Sequence, residues 1–304
     1  MMTGAKHISV CICTYKRPEL LRRLLTKLEQ QETEGLFNYS VVIVDNDRSE
    51  SARQAAESCA RQSKISITYH VEPEQNIALA RNRAIENARG DFLAFIDDDE
   101  FPDEDWLLNL YRACHEFRAD GVLGPVRPYF EIEPPLWIIR GKLCERESFP
   151  TGTTIRDGKY TRTGNVLLNR KVFMDKENRF DPRFGKTGGE DGDLFRRMIQ
   201  KECIFVWCNE ACVNEIVPPH RFKRSYYLKR ALLQGSAVTK AKKMSPFGFD
   251  AFKSAVAFVL YTPALPVLLL SRHDLFMKYL IKECYHLSML LSLCGVKIVK
   301  ERAF

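Results

Sequence analysis

Short apolar runs alternate with amphipathic stretches through the first two thirds of the chain. Ile8 to Cys13 is apolar enough for a buried strand. Pro18 then stands where a helix takes its first residue, and Leu20, Leu21, Leu24, Leu25 and Leu28 mark one face at helical spacing. The pattern repeats: a strand over Ser40–Val44, a helix over Ser51–Gln62, a strand over Ile65–Val71, a helix over Ile77–Arg89 that Gly90 can stop, and a strand over Phe92–Ile96. Strands separated by helices predict an α/β fold built on a mostly parallel, doubly wound sheet. The carboxyl ends of such strands share one edge, where ligands bind. Polar residues fall repeatedly at those ends: Thr14, Asp45, Asn46, Asp97 and Asp99.

Beyond residue 100 the pattern predicts a helix over Asp103–Phe117, a strand over Val122–Tyr129 and a strand over Arg162–Asn169 with Gly164-Asn165 inside it. Between these strands, residues 130–160 are rich in Pro, Gly and charge, and suit either a mobile loop near the site or a surface excursion. Gly185 to Asp191 reads as a flexible loop, followed by a helix over Asp193–Lys201 and a short strand over Ile204–Cys208.

After residue 220 the character changes, which suggests a domain over 1–220 and a tail over 221–304. Arg221 to Lys243 predicts a basic helix carrying Phe222, Tyr226 and Tyr227. From His220 to Lys243 there are eight Lys or Arg and no acid, more than the net charge of +7 for all 304 residues. Ser254 to Ser271 has no formal charge and is near the lower limit for a spanning helix, but Pro263 and Pro266 interrupt it. That favours a bent, re-entrant or surface-lying segment. The apolar stretch 287–296 is too short to span alone. Basic and apolar segments side by side suit an anionic membrane surface, with a helical subdomain packed on the core as the alternative. Without a base-reading motif they exclude nucleic acid as the partner. None of the ten cysteines forms a C-x-x-C pair, so no zinc site is expected. The chain enters its first strand without a signal-peptide pattern, and the expected compartment is reducing and cytoplasmic.

The densest chemistry is Gly90 to Glu100, an apolar strand that ends in four consecutive acids. Alternation points Asp97 and Asp99 to one side and Asp98 to the other. Two carboxylates aimed at one point repel unless a cation lies between them, and hard cations such as Mg²⁺ or Mn²⁺ prefer oxygen ligands and leave positions for phosphate. The stretch is therefore a metal–diphosphate site or a solvated acidic loop.

Five segments in order decide between these. Val10-Cys11-Ile12-Cys13-Thr14-Tyr15-Lys16-Arg17, Val44-Asp45-Asn46-Asp47, Asn76 to Asn82, Asp97-Asp98-Asp99 and Gly188-Gly189-Glu190-Asp191 together resemble the family 2 glycosyltransferases over roughly residues 7–220. Gly124-Pro125-Val126-Arg127, the Gly-Gly-Glu-Asp and Val217-Pro218-Pro219 look like bacterial exopolysaccharide glucosyltransferases of the succinoglycan-assembly type. The resemblance implies a GT-A, Rossmann-like fold and a metal-dependent, inverting transfer from a nucleotide-sugar, UDP-linked by expectation. The acceptor would be lipid-linked or a polysaccharide. The C-terminal helical tail would hold the enzyme at the cytoplasmic face of the inner membrane, peripherally or through its apolar segments.

It implies residue roles as well. Thr14, Arg17, Asp45 and Asn46 would hold the nucleoside; many relatives carry two acids where this chain has Asp45-Asn46, and turn chemistry alone also explains that pair. Arg81 would reach a donor phosphate or fix the acidic loop. Asp97 and Asp99 would hold Mn²⁺ or Mg²⁺, and Asp98 would contact ribose or structure the turn. Asp191 would be the catalytic base, and Glu190 and Gly189 would meet acceptor hydroxyls. Where some relatives have a metal-binding His this chain has Asn214; His220 is a substitute ligand or an ordinary solvated side chain. The competing classes are a nucleotidyl or phosphoryl transferase and a non-catalytic membrane-docked scaffold.

Overall fold

The computed structural model describes residues 5–185, 188–241 and 244–296. Lys186 and Thr187 of the glycine-rich loop, and Lys242 and Lys243 of the basic run, lie outside them. The chain forms two compact units, Met1–Pro128 with Arg146–Ile216, and Tyr129–Glu145 with Val217–Phe304. Residues 129–145 therefore pack with the C-terminal unit, a grouping that their irregular pattern does not signal.

The first unit opens as the periodicity predicts: β1 (Lys6–Thr14), α1 (Pro18–Leu28), β2 (Phe37–Asp45), α2 (Arg53–Gln62), β3 (Ser66–Val71), α3 (Ile77–Asn87) and β4 (Phe92–Asp97). It continues with β5 (Glu100–Pro102), α4 (Trp106–Glu116), β6 (Gly121–Leu123) and β7 (Val126–Tyr129). In the second unit lies α5 (Leu136–Gly141); β8 (Asn165–Asn169), α6 (Glu190–Gln200), β9 (Phe205–Trp207) and β10 (Val213–Ile216) complete the first. The main sheet has the order β3-β2-β1-β4-β8-β6-β9, in which β8 alone runs against the other six. The order reverses between β1 and β4, so Thr14 and Asp97 end neighbouring strands at the switch point.

The central strands β1, β2 and β4 are buried on both faces over most of their length, as crossover helices require, while the edge strand β3 is partly exposed. Ile8, Val10, Ile12, Ala94 and Ile96 face α1 and α4, whereas Cys11, Val42, Val44, Leu93 and Phe95 face α3 and α6. The leucine stripe of α1 is buried at Leu21, Leu24, Leu25 and Leu28, each worth about 1.5–3 kcal/mol of transfer from water.

The structure departs from the sequence reading at five places in this unit. The predicted strand 122–129 is two strands in different sheets, because Pro125 has no N–H to continue a ladder. A second sheet, β5-β10-β7, contains the unpredicted β5 and β10. Strand 162–169 begins only at Asn165. Helix α3 ends at Ala88 in extended conformation, so Gly90 does not cap it; a Cβ at Gly90 would lie 2.7 Å from the His7 carbonyl oxygen, and close approach to β1 is what requires glycine. Helix α6 starts at Glu190 rather than Asp193, which places Glu190 and Asp191 in its first turn instead of in a loop.

The second unit is helical: α5, then α7 (Arg224–Ala241), α8 (Phe249–Tyr261), α9 (Ala264–Ser271) and α10 (His273–Leu293). Gly235 lets α7 approach α10 closely, since a Cβ there would lie 2.3 Å from the Tyr285 carbonyl oxygen. Trp137 stacks edge-on with Tyr227 and His273. The uncharged stretch breaks at Thr262–Pro263 and bends by 49°. Among the described residues no single helix is long and apolar enough to cross a membrane; the bent pair α8–α9 passes that test by length and composition. Within this unit Phe247, Phe249, Phe252, Val259, Val267 and Leu270 are exposed.

Candidate active site

The acids sit where β4 leaves the sheet. The Asp97 backbone N–H donates to Glu100 Oε2 at 3.1 Å, which folds the quartet into a tight turn. Thr14 Oγ1, at the end of β1, donates to Asp98 Oδ2 at 2.8 Å. Arg17 Nη1, just before α1, donates to Asp98 Oδ1 at 3.0 Å and to Asp99 Oδ2 at 3.1 Å. Asp98 is buried beneath these donors and structures the turn, while the Asp97 side chain stays 45% exposed.

Burial first, then the charges of Asp97 and Asp98, push the Asp99 carboxyl up to about 7 despite Arg17. Burial likewise raises Glu100 well above the usual carboxylate range, with Asp97 adding to it. This is the signature of a carboxylate cluster short of positive charge. Its donors are all hard oxygens, which suits Mg²⁺ or Mn²⁺. Among the described residues no group of three or more His, Cys, Asp or Glu gathers around one point. His220 belongs to the second unit, where its ring stands 6.2 Å from that of Tyr226.

Arg81 joins the acids to the glycine-rich loop. It comes from α3, which Asn76 caps by accepting from the Ala78 and Leu79 N–H groups. Its guanidinium, only 9% exposed, pairs with Glu190 and reaches Asp97 Oδ1 at 3.4 Å. Burial works against its charge, but Glu190, Asp97 and Asp191 outweigh it and hold Arg81 above its ordinary value. Glu190 is raised by burial, which the Arg81 charge counters. Its second oxygen, Oε2, is buried with no partner among the described residues.

Gly188 and Gly189 turn into α6 with φ of 82° and 99°. A Cβ at either would meet nothing within 4 Å, so the left-handed backbone is what calls for glycine. Asp191 is half-buried, and its Oδ1 accepts the Gly192 N–H at 2.8 Å.

Asp45 and Asn46 are bound into the sheet edge. Asp45 accepts from the Asp47 and Ala52 N–H groups and from Tyr69 Oη, and is inaccessible to solvent. Asn46 donates to the Glu72 and Glu74 carbonyls and accepts the Asn76 N–H. The fold thus brings Thr14, Arg17, Arg81, Asp97, Asp98, Asp99 and Glu190 into one bonded cluster with Asp191 beside it, and keeps Asp45-Asn46 in a separate one at the same edge.

The sequence reading assigned no role to five residues that border the cluster. Glu100 pairs in register with Glu215 across β5 and β10, and Arg146 forms an ion pair with Glu215. Arg162 lies within the electrostatic reach of Arg146, Asp191, Glu100 and Glu215. Gly164, next to it but one, is so close to the acids that a Cβ would lie 2.5 Å from Glu100 Oε1 and 3.1 Å from Asp97 Oδ2. Glu100 adjoins the acid motif and Gly164-Asn165 was visible as a break in strand pattern; Arg146 and Glu215 carry no local signal.

Comparison with known proteins places this arrangement. The model of glycosyl transferase family 2 matches residues 9–176. The succinoglycan biosynthesis protein ExoM of Rhizobium meliloti (strain 1021) is 35% identical over 229 residues, 75% of this chain and 73% of that protein. Among solved structures, the mannosyltransferase PcManGT from Pyrobaculum calidifontis in complex with GDP-Man and Mn²⁺ matches with a TM-score of 0.60 at 16% identity, covering 92% of this chain and 86% of that one. S. aureus TarS 1–349 in complex with UDP-GlcNAc matches with a TM-score of 0.55 at 14% identity, covering 95% and 92%. At those identities the likeness is one of fold, the GT-A fold, while the family match extends to sequence. The chain belongs to glycosyl transferase family 2, and it is a glycosyltransferase.

Proposed function

We propose that this enzyme transfers one sugar, with inversion, from a UDP-sugar to a lipid-linked or polysaccharide acceptor in exopolysaccharide synthesis. The observation that carries the reading is the Arg81 bridge, which ties the Asp97 end of the acid turn to the helix that begins Glu190-Asp191. A leaving group held at one side of that bridge and an acceptor held at the other meet over the anomeric carbon. ExoM, by its name a succinoglycan biosynthesis protein, supports the exopolysaccharide setting, and TarS with UDP-GlcNAc supports a uridine donor.

Asp97 and Asp99 would hold Mn²⁺ or Mg²⁺, with the remaining positions left to the donor's phosphate oxygens and water. When bound, the cation neutralises charge that develops on the departing diphosphate. Thr14 and Arg17 keep Asp98 and Asp99 in place, and Asp45 and Asn46 fix the edge on which the nucleoside rests. Asp191 accepts the proton of the attacking acceptor hydroxyl. That oxygen forms its bond to the anomeric carbon from the face opposite the diphosphate, which leaves with the electron pair of the broken bond. The unpartnered oxygen of Glu190 accepts a hydroxyl of the acceptor, and the Gly189 turn lets the ring come close.

The second unit supports a place at the cytoplasmic face of the inner membrane. Lys223, Arg224, Lys229 and Arg230 are exposed in the same unit as the exposed apolar side chains of α8 and α9. Such a pair of surfaces suits anionic headgroups and the acyl boundary beneath them.

The test is Asp191→Asn assayed with UDP-sugars and Mn²⁺. Turnover is expected to fall about 10²–10⁴-fold, the usual worth of a positioned base, with UDP affinity retained. A variant as active as wild type would remove Asp191 from the proton transfer. A wild-type protein that releases no UDP from any UDP-sugar would remove the donor.

A further inference from the structure

Four arginines border the acid cluster, and three have partners: Arg17 with Asp98 and Asp99, Arg81 with Glu190 and Asp97, and Arg146 with Glu215. The fourth, Arg162, is half-buried and among the described residues makes no ion pair or hydrogen bond. Burial and the neighbouring Arg146 charge hold Arg162 below its ordinary value; Asp191, Glu100 and Glu215 act the other way, but none pairs with it.

Its position follows from two close approaches on either side. At Gly158 a Cβ would lie 3.1 Å from the Gly192 carbonyl oxygen, in the first turn of α6. At Gly164 it would lie 3.1 Å from Asp97 Oδ2. The segment between them is anchored by the buried Thr161, whose Oγ1 donates to the Gly158 carbonyl at 2.6 Å. Arg162 therefore stands between the Asp191 turn and the acid turn, where donor and acceptor meet in the reading above.

We propose that Arg162 binds the diphosphate of the nucleotide-sugar donor, and this rests on that reading. A cation held half-buried without a partner costs stability, so its presence calls for a ligand. A guanidinium presents its donors in a planar fork that matches phosphate oxygens. Because the other three arginines are engaged, an entering diphosphate meets Arg162 without breaking an existing ion pair. The donor's diphosphate carries two negative charges and the nucleoside diphosphate that leaves carries about three; a divalent cation offsets two, and Arg162 answers the charge that develops on departure.

Calorimetric titration of UDP and of uridine, at fixed Mn²⁺, into wild type, Arg162→Ala and Arg162→Lys tests this. Arg162→Ala is expected to weaken UDP about 10- to 100-fold and leave uridine unchanged, and Arg162→Lys to restore part of the loss. The ligand-free Arg162→Ala protein is expected to melt no lower than wild type. Unchanged UDP affinity overturns the assignment, whether the variant melts lower, as a structural arginine would, or raises only the KM for acceptor. An equal loss of uridine overturns it too. If wild type binds none of UDP, GDP, CDP or dTDP, the donor reading itself fails. Inorganic pyrophosphate with Mn²⁺ then reads the residue separately: binding that depends on Arg162 upholds an anion site, and binding independent of it, or absent, removes that site.

Discussion

Arg81→Met should be among the most damaging single substitutions outside the hydrophobic core. Arg81 and Glu190 are 9% and 8% exposed, so neither charge is hydrated once its partner is gone. Removing one member of a buried pair costs about 3–5 kcal/mol, most of it the stranded charge. Asp97 also loses a partner, but at 45% exposure its carboxylate keeps its water and adds little. In a unit of this size such a loss lowers the melting midpoint by roughly 10 °C or more.

The same physics predicts a rescue. Arg81→Met with Glu190→Leu removes both charges and leaves an apolar contact, so the double variant should recover most of the stability lost by Arg81→Met. A double-mutant cycle on thermal and urea melts measures this coupling. Activity should not recover, because the acid turn and the α6 turn are no longer joined. A single variant that costs less than about 1 kcal/mol, or a double variant that loses the sum of the singles, would refute the argument.

Further expectations follow from the same geometry. With Asp99 raised to about 7, its contribution to metal-free stability is fully present below the ordinary carboxylate value and is lost as pH rises through 7. Mn²⁺ must displace that proton, so its affinity should climb up to about tenfold per pH unit below 7 and level off above; an affinity flat from pH 6 to 8 would contradict the shift. Gly164→Ala should abolish most activity while the protein still folds, because the new methyl displaces the side chains of Glu100 and Asp97 rather than backbone; a fully active variant would show that the acid turn tolerates movement. Vesicles of anionic lipid should co-sediment the protein and neutral vesicles should not, with binding weakened by salt and by Phe249→Ser with Phe252→Ser. Equal recovery with neither vesicle would count against a membrane face.

The first seven elements were legible because their information is local. Leucines at helical spacing and apolar runs of strand length need no knowledge of the rest of the chain, and a mostly parallel, doubly wound sheet follows from their alternation. The acids at the end of β4 were legible for the same reason. What failed were features set by distant partners: Pro125 ending one ladder so that β7 could join another sheet, Gly90 yielding space to β1, and Glu190 opening a helix because Gly188 and Gly189 complete the turn before it.

The site divides along the same line. Asp97, Asp99 and Asp191 announce themselves by motif, yet a pair of carboxylates and a third one some ninety residues on are only candidates until something brings them together. Arg81 does so from a helix whose sequence reads as ordinary, and its two acidic partners lie 16 and 109 residues away. Its charge is worth most where it is least visible, buried between the acid turn and the first turn of α6. Arg162 is the complementary case: it lies on a stretch held close to both turns but is matched by neither. On the proposed reading the acids mark where the reaction occurs, while Arg81 and Arg162, one paired and one not, determine which two groups the site can hold at once.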